Sequence, residues 1–236
     1  IAFVTEHGGV NSHAAILAKA LGIPAVSGIR GIHDCISCGT ELLVDGDDGK
    51  VVVWPSEKTV SEISEKRESA IRQLEPMDPI PEVRVLASIS RAVELERAEE
   101  MKPEGIGLYR TEFEFMAANR QLTEDAQVDL YAQVVAAMKG RPIYLRLLDV
   151  GGDKPLPFMQ TPEEDNPYLG FRGARFLLGN RELLETQGRA IARASAAGEI
   201  KIMIPMVSEV EQFTQIRDIL DEATANISDR NIAYGA

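Results

Sequence analysis

Apolar positions along this chain follow two rhythms. In residues 1–54, short apolar runs at Ile1–Val4, Ala25–Val26, Leu42–Val44 and Val51–Trp54 read as strands. The last two are joined into a hairpin by Asp45-Gly46-Asp47-Asp48-Gly49. Between the first two lies Ala14–Leu21 (AAILAKAL), a helix-forming segment without a breaker, closed by Gly22 and Pro24. In Glu57–Leu74 the apolar residues Val60, Ile63, Ala70, Ile71 and Leu74 recur at helical spacing among charges. That spacing predicts an amphipathic helix with one narrow apolar face, ended by Pro76, Pro79 and Pro81.

Residues 83–236 repeat a strand–helix alternation. Strands are expected at Val83–Ser90, Gly105–Arg110, Pro142–Asp149 and Ile200–Met206, with a fifth beginning at Ile232–Ala236. Helices are expected at Ala92–Met101, Thr123–Lys139, Arg172–Leu178, Arg181–Ala197 and Ser208–Thr224, with loops after Arg110 and Asp149. Apolar strands separated by helices indicate a parallel sheet, hence an α/β fold that is either a (β/α) barrel or an open doubly wound sheet. Polar residues on the strands favour the barrel. Arg110 ends the second strand, Arg146 interrupts the third (IYLRLLD), and Asp149 closes it. An arginine in a buried strand needs partners, and the C-terminal mouth of a barrel supplies them. Two arginines converging from neighbouring strands form a site for a small, multiply charged anion. The competing reading is an internal ion pair with Glu112 or Asp149 that only holds the fold together.

The 236 residues allow one large domain or two ordinary ones, and 44% hydrophobic content suffices for a sizeable core. A formal net charge of -12 argues against nucleic acid or an anionic membrane as partner and fits a cytoplasmic protein. No apolar run approaches the ~20 residues of a membrane span. Because Ile1–Val4 opens as a strand already in progress, with no initiator methionine, a longer parent chain is expected.

The only cysteines, Cys35 and Cys38, form Cys-x-x-Cys with His33 nearby. A redox pair or half of a zinc site has to be weighed. One such pair cannot close a four-ligand shell, and a reduced, partly buried loop pair is the default.

Gly8-Gly9-Val10-Asn11-Ser12-His13 puts a histidine where a glycine turn runs into the helix at Ala14. Asn11 or Ser12 can cap that helix, and its free N–H groups favour an anion. The imidazole of His13 is therefore a candidate phosphoryl carrier, supported by Gly8, Gly9 and Ser12; a cap-region structural histidine is the alternative.

These segments, together, resemble the enzyme I family of the bacterial phosphoenolpyruvate:sugar phosphotransferase system. The matching stretches are Gly8-Gly9-x-x-Ser12-His13-x-x-Ile16, Gly105-Ile-Gly-Leu-Tyr-Arg-Thr-Glu-Phe113 and Arg146-Leu-Leu-Asp-Val-Gly-Gly-Asp-Lys154. Asn166-Pro-Tyr-Leu-Gly-Phe-Arg172 and Ile204-Pro-Met206 follow in order. Pyruvate phosphate dikinase and phosphoenolpyruvate synthase share a similar histidine loop and second-strand arginine, but Asp149–Lys154 resembles enzyme I.

The resemblance implies three segments. Residues 1–54 are the C-terminal part of a swivelling phosphohistidine domain, 55–82 a linker helix and proline-rich connector, and 83–236 the N-terminal half of a (β/α)8 TIM-type barrel that binds phosphoenolpyruvate (PEP). It implies that His13 takes the phosphoryl group from PEP and passes it to a histidine of a small carrier protein. Arg110 and Arg146 would grip the phosphate, with Arg172 near the substrate. A neutral His13 is the competent nucleophile, so activity should fall once the imidazole protonates. The family's Mg2+ ligands lie on the fifth and sixth strands and its proton-donating cysteine further on. They are expected beyond Ala236, so the fragment alone is expected not to turn over PEP. The full-length enzyme is expected to be a homodimer. The alternatives are a dikinase or synthase charged from ATP, or a non-catalytic phosphocarrier or regulatory fragment.

Overall fold

The computed structural model describes residues 2–9, 15, 18, 23–72, 76, 80–152, 156, 158, 159, 162, 164–167 and 169–229. It divides into two separately packed units, Ile1–Glu75 and Pro76–Ala236. His13, Ser12 and the expected strand at Ile232–Ala236 lie outside the described residues.

In the first unit, β1 (Phe3–Thr5) pairs in parallel with β2 (Ala25–Ser27), Phe3 opposite Ala25. Parallel neighbours need a crossover, and Ala15 and Ala18 in the intervening segment are helical. A short helix α1 (Ile32–Cys35) follows, and then the antiparallel hairpin of β3 (Leu42–Asp45) and β4 (Lys50–Val53). The turn forms because Asp45 Oδ1 accepts the N–H groups of Asp47 and Asp48, each at 3.0 Å. Helix α2 (Glu57–Arg72) is capped by Ser56, whose Oγ accepts the Thr59 N–H at 3.2 Å. Cys35 and Cys38 are exposed free thiols rather than a partly buried loop pair: Cys35 ends α1 on its solvent side, and Cys38 lies in the surface turn Ser37–Thr40 that follows.

The second unit is built on β5 (Ala87–Ile89), β6 (Ile106–Arg110), β7 (Ile143–Arg146) and β8 (Lys201–Met203). All neighbours are parallel and the spatial order is the chain order. Such sequential winding is that of a barrel wall. A doubly wound sheet would reverse direction at a switch point. Helices α3 (Leu95–Glu100), α4 (Glu112–Ala118), α5 (Glu124–Met138), α6 (Ala174–Gly179), α7 (Arg181–Ala194) and α8 (Val210–Asp229) complete the unit.

One continuous core joins the strands to α5, α6, α7 and α8 through Ile106, Leu145, Tyr131, Phe176, Leu184 and Ile216. The outer flank of β8 is different. Ile202, Val207, Val210 and Phe213 are exposed there, around an apolar groove of about 480 Å³.

Helix α4 replaces the loop expected after Arg110. Glu112-Phe-Glu-Phe115 alternates like a strand, yet all of its members are buried, so no amphipathic stripe betrays the helix. Strands are shorter than their apolar runs. Leu147, Leu148 and Val150 are buried but leave the ladder after Arg146. Among the described residues, no helix is long and apolar enough to cross a membrane.

Candidate active site

The ladder between β6 and β7 ends with Arg110 opposite Arg146. Neighbouring strands lie ~4.8 Å apart, so two guanidinium groups leave the same sheet edge side by side. Their surroundings differ.

Arg146 is compensated. Its Nη2 donates to Glu112 Oε1, and its Nη1 meets Asp149 Oδ2 at 3.2 Å. Asp149 in turn accepts from Arg172, Nε to Oδ1 at 2.9 Å and Nη2 to Oδ2 at 3.0 Å, a two-point fork. Arg172 thus joins the strand ends through Asp149, with both residues buried. Backbone holds this link in place. Gly173 N–H donates to Val150 O at 3.1 Å, and Gly151 bridges Arg172. Gly151 has φ +101°, and a Cβ there would lie 2.1 Å from Phe171 O, so only glycine fits this approach.

Arg110 is not compensated by a carboxylate among the described residues. It donates to Ser90 Oγ and stacks over the Phe113 ring, with Cζ 4.7 Å from the centroid. Among the described residues, the Nε atoms of Arg110 and Arg146 are buried without a hydrogen-bond acceptor. A buried charged donor left unpaired is costly, so the pair is suited to oxygens supplied by a ligand.

Glu114 organises the β5 side. Its Oε1 accepts from Ala92 N at 2.6 Å and from Tyr109 OH at 3.0 Å, and its Oε2 lies 3.7 Å from Arg91 Nε. Burial first, then the Glu114 charge, pushes the Tyr109 phenol well above its ordinary range, so it remains a donor.

The structure therefore brings together Arg110 and Arg146, with Arg172 joined through Asp149. The internal ion pair foreseen for Arg146 also forms, with both suggested carboxylates. In the other unit, Gly8 adopts φ +121°, and Glu6 beside it accepts the Gly31 N–H at 2.7 Å, tying the start of the histidine loop to α1. Sequence reasoning passed over Glu114, Thr111 and Gln187. The last two are fully buried polar residues. A polar side chain at an apolar helical position was the available signal for Gln187.

Comparison with known proteins points the same way. Residues 64–236 match the PEP-binding domain of PEP-utilising enzymes, and residues 1–49 match their mobile domain. The chain is 39% identical over 235 residues to a phosphoenolpyruvate-protein phosphotransferase of Staphylococcus carnosus, covering 95% of this chain and 41% of the relative. It is 39% identical over 230 residues to one of Bacillus subtilis, covering 93% and 40%. A multiphosphoryl transfer protein of Rhodobacter capsulatus is 39% identical over 241 residues, covering 98% and 29%. The chain thus spans well under half the length of these curated relatives. With the PEP-binding domain matched over 64–236, most of its length, the chain belongs to the PEP-utilising enzymes.

Proposed function

We propose that this chain supplies the histidine loop and the anion grip for phosphoryl transfer from PEP to His13, and from there to a histidine of a small carrier protein. The observation that carries the reading is the juxtaposition of Arg110 and Arg146 at adjacent strand ends, each with a buried Nε lacking an acceptor among the described residues. The names of the relatives, phosphoenolpyruvate-protein phosphotransferase among them, supply the donor.

In this reading the phosphate of PEP accepts from Arg110 and Arg146. Arg172, held by Asp149, orients Arg146 and adds positive potential beside the substrate. The bond from phosphorus to the enol oxygen breaks as a ring nitrogen of His13 bonds to phosphorus. Enolpyruvate leaves and takes a proton at its methylene carbon to become pyruvate. Charge in this loose transfer spreads over the phosphoryl oxygens, where fixed guanidinium groups stabilise it. Gly8 and Gly9 let the loop turn, and Ser12 adds a donor beside the imidazole. The reading requires His13 to be delivered to the phosphorus and then withdrawn toward the carrier. It places the full-length protein in the cytoplasm as a homodimer.

Mg2+ is the cofactor the family implies, and its chemistry would be to neutralise phosphate charge. Among the described residues, no three His, Cys, Asp or Glu side chains group to hold a metal ion.

The test is labelling of the full-length protein with radiolabelled PEP. Acid-labile, base-stable label is expected on His13 and none in His13→Ala. Arg110→Gln and Arg146→Gln are each expected to slow labelling by about a hundredfold. Label retained in His13→Ala, or wild-type rates in both arginine variants, would overturn the reading. The 236-residue chain alone is expected to release no pyruvate from PEP.

A further inference from the structure

Behind the arginines lies a buried polar cluster that the phosphoryl-transfer reading leaves unused. Gln187 on α7 is fully buried, with Leu183, Leu184, Ala190 and Ile191 buried on the same helix. Its Oε1 accepts the Leu148 N–H at 3.0 Å. Its Nε2 donates to Thr111 Oγ1 and to Tyr131 OH, each at 3.1 Å. Thr111 Oγ1 in turn donates to the Arg146 carbonyl at 2.9 Å. Tyr131 OH donates to Gln127 Oε1 at 3.1 Å. The directions are mutually consistent. A backbone N–H can only donate, so Leu148 fixes which end of the Gln187 amide is oxygen.

Thr111 follows Arg110, and Leu148 precedes Asp149. The β6–β7 ladder has stopped at Arg110 and Arg146, so spacing beyond that point depends on other bonds. Gln187 bridges the two segments just there. An apolar side chain would fill this volume at less desolvation cost, and the amide instead makes two bonds to the segments that present the arginines and Asp149 and a third to Tyr131 on α5.

We propose that Gln187 is a positioning residue for the anion grip: it clamps the ends of β6 and β7 so that Arg110 and Arg146 stand at phosphate spacing without touching the ligand itself. The inference rests on the proposed PEP site. With the clamp gone both guanidinium groups remain, so the positive charge they offer the transition state persists while their hydrogen-bonded hold on bound PEP loosens, and the effect falls on KM more than on kcat.

Steady-state kinetics of the full-length protein with PEP test it. Gln187→Leu is expected to raise KM for PEP about tenfold with kcat changed less than about threefold. Thr111→Val, which removes only the hydroxyl between Gln187 and the Arg146 carbonyl, is expected to move KM the same way by a smaller factor. It carries the test where Gln187→Leu does not fold. Tyr131→Phe removes the α5-side bonds and leaves those to Thr111 and Leu148. It is expected to lower the melting temperature while keeping KM within about twofold. The inference is overturned when Gln187→Leu and Thr111→Val keep the wild-type KM, or when Tyr131→Phe raises KM as much as they do. Arg146→Gln separates the two levels. A wild-type KM in that variant would sink the PEP site and the clamp with it. A raised KM in Arg146→Gln, beside unchanged Gln187→Leu and Thr111→Val, would remove the clamp alone.

Discussion

The two units are held together by different means. In the second, a continuous apolar core packs strands against helices, and the charged groups at the strand ends are buried in mutually bonded sets. In the first, the buried apolar residues described are Ala18, Val26 and Ile32, and Trp54 lies 65% exposed. Its polar links, such as Asp48 with Lys66 and Lys50, sit in water. The contrast matches the proposed division of labour. An anion grip must hold guanidinium groups in place against their repulsion, which needs a rigid, desolvated frame. A loop that carries a phosphoryl group needs mainly local turns and exposed donors.

The contrast breaks most directly if a core deletion in the second unit is felt equally by the first. Phe176 is buried and meets Phe171 edge-on, with centroids 5.5 Å apart. Phe176→Ala is expected to cost about 3–5 kcal/mol and to lower the transition of the second unit by about 10 °C in calorimetry. The transition of the first unit should stay in place. A common downward shift of both would show one cooperative body.

Next in size is Gly151→Ala. The added Cβ would collide with Phe171 O, and the residue would be held at positive φ, for a cost of about 2–3 kcal/mol. Because Gly151 bridges Arg172, weaker PEP binding is expected to accompany the loss of stability. Stability lost with PEP affinity intact would separate Arg172 from the site.

How much of this was legible in sequence follows from where polar residues fall. Arg110 and Arg146 interrupt or end apolar runs, so their burial, and hence their need for partners, could be read directly. The hairpin was legible because Asp45 and Gly49 carry their turn chemistry locally. Helix α4 was not, since burial on all sides of Glu112–Phe115 erased the helical period. Gln187 was passed over although it shares a face with Leu183, Leu184, Ala190 and Ile191. One amide on such a stripe is conspicuous only once its partners from Thr111 and Leu148 are in place. The exposure of Cys35 and Cys38 depends on a surface turn that their spacing does not specify.

A smaller effect tests electrostatics in the second unit. Glu124, at the start of α5, accepts from Arg189 at 2.7 Å and Arg193 at 2.9 Å on α7. Burial works to raise its pKa, but the bonds from Arg189 and Arg193 outweigh it, and the carboxyl lies below its ordinary value of 4.5. A depressed carboxylate stabilises the fold above its ordinary value, and that contribution disappears as pH falls through the lowered one. Glu124→Gln is therefore expected to destabilise by about 1 kcal/mol at neutral pH. The gap from wild type should be constant above pH 4.5 and narrow below it in denaturant titrations. A gap that widens in acid would contradict the assignment.

The smallest effect belongs to the first unit. Asp48 Oδ2 accepts from Lys66 on α2 at 2.7 Å and from Lys50 on β4 at 3.2 Å. These bonds, Lys66 first, hold the Asp48 carboxyl below its ordinary value, but the group is exposed to solvent. Water and salt screen such a pair, and ordering two flexible side chains offsets most of its attraction. Lys66→Ala is expected to leave the transition of the first unit unmoved at physiological ionic strength, with a slight decrease only in low salt. Calorimetry at two salt concentrations reads this directly. A loss at high salt as large as that of Glu124→Gln would mean that exposed pairs stabilise the first unit as half-buried ones stabilise the second. The two units would then share one principle of construction.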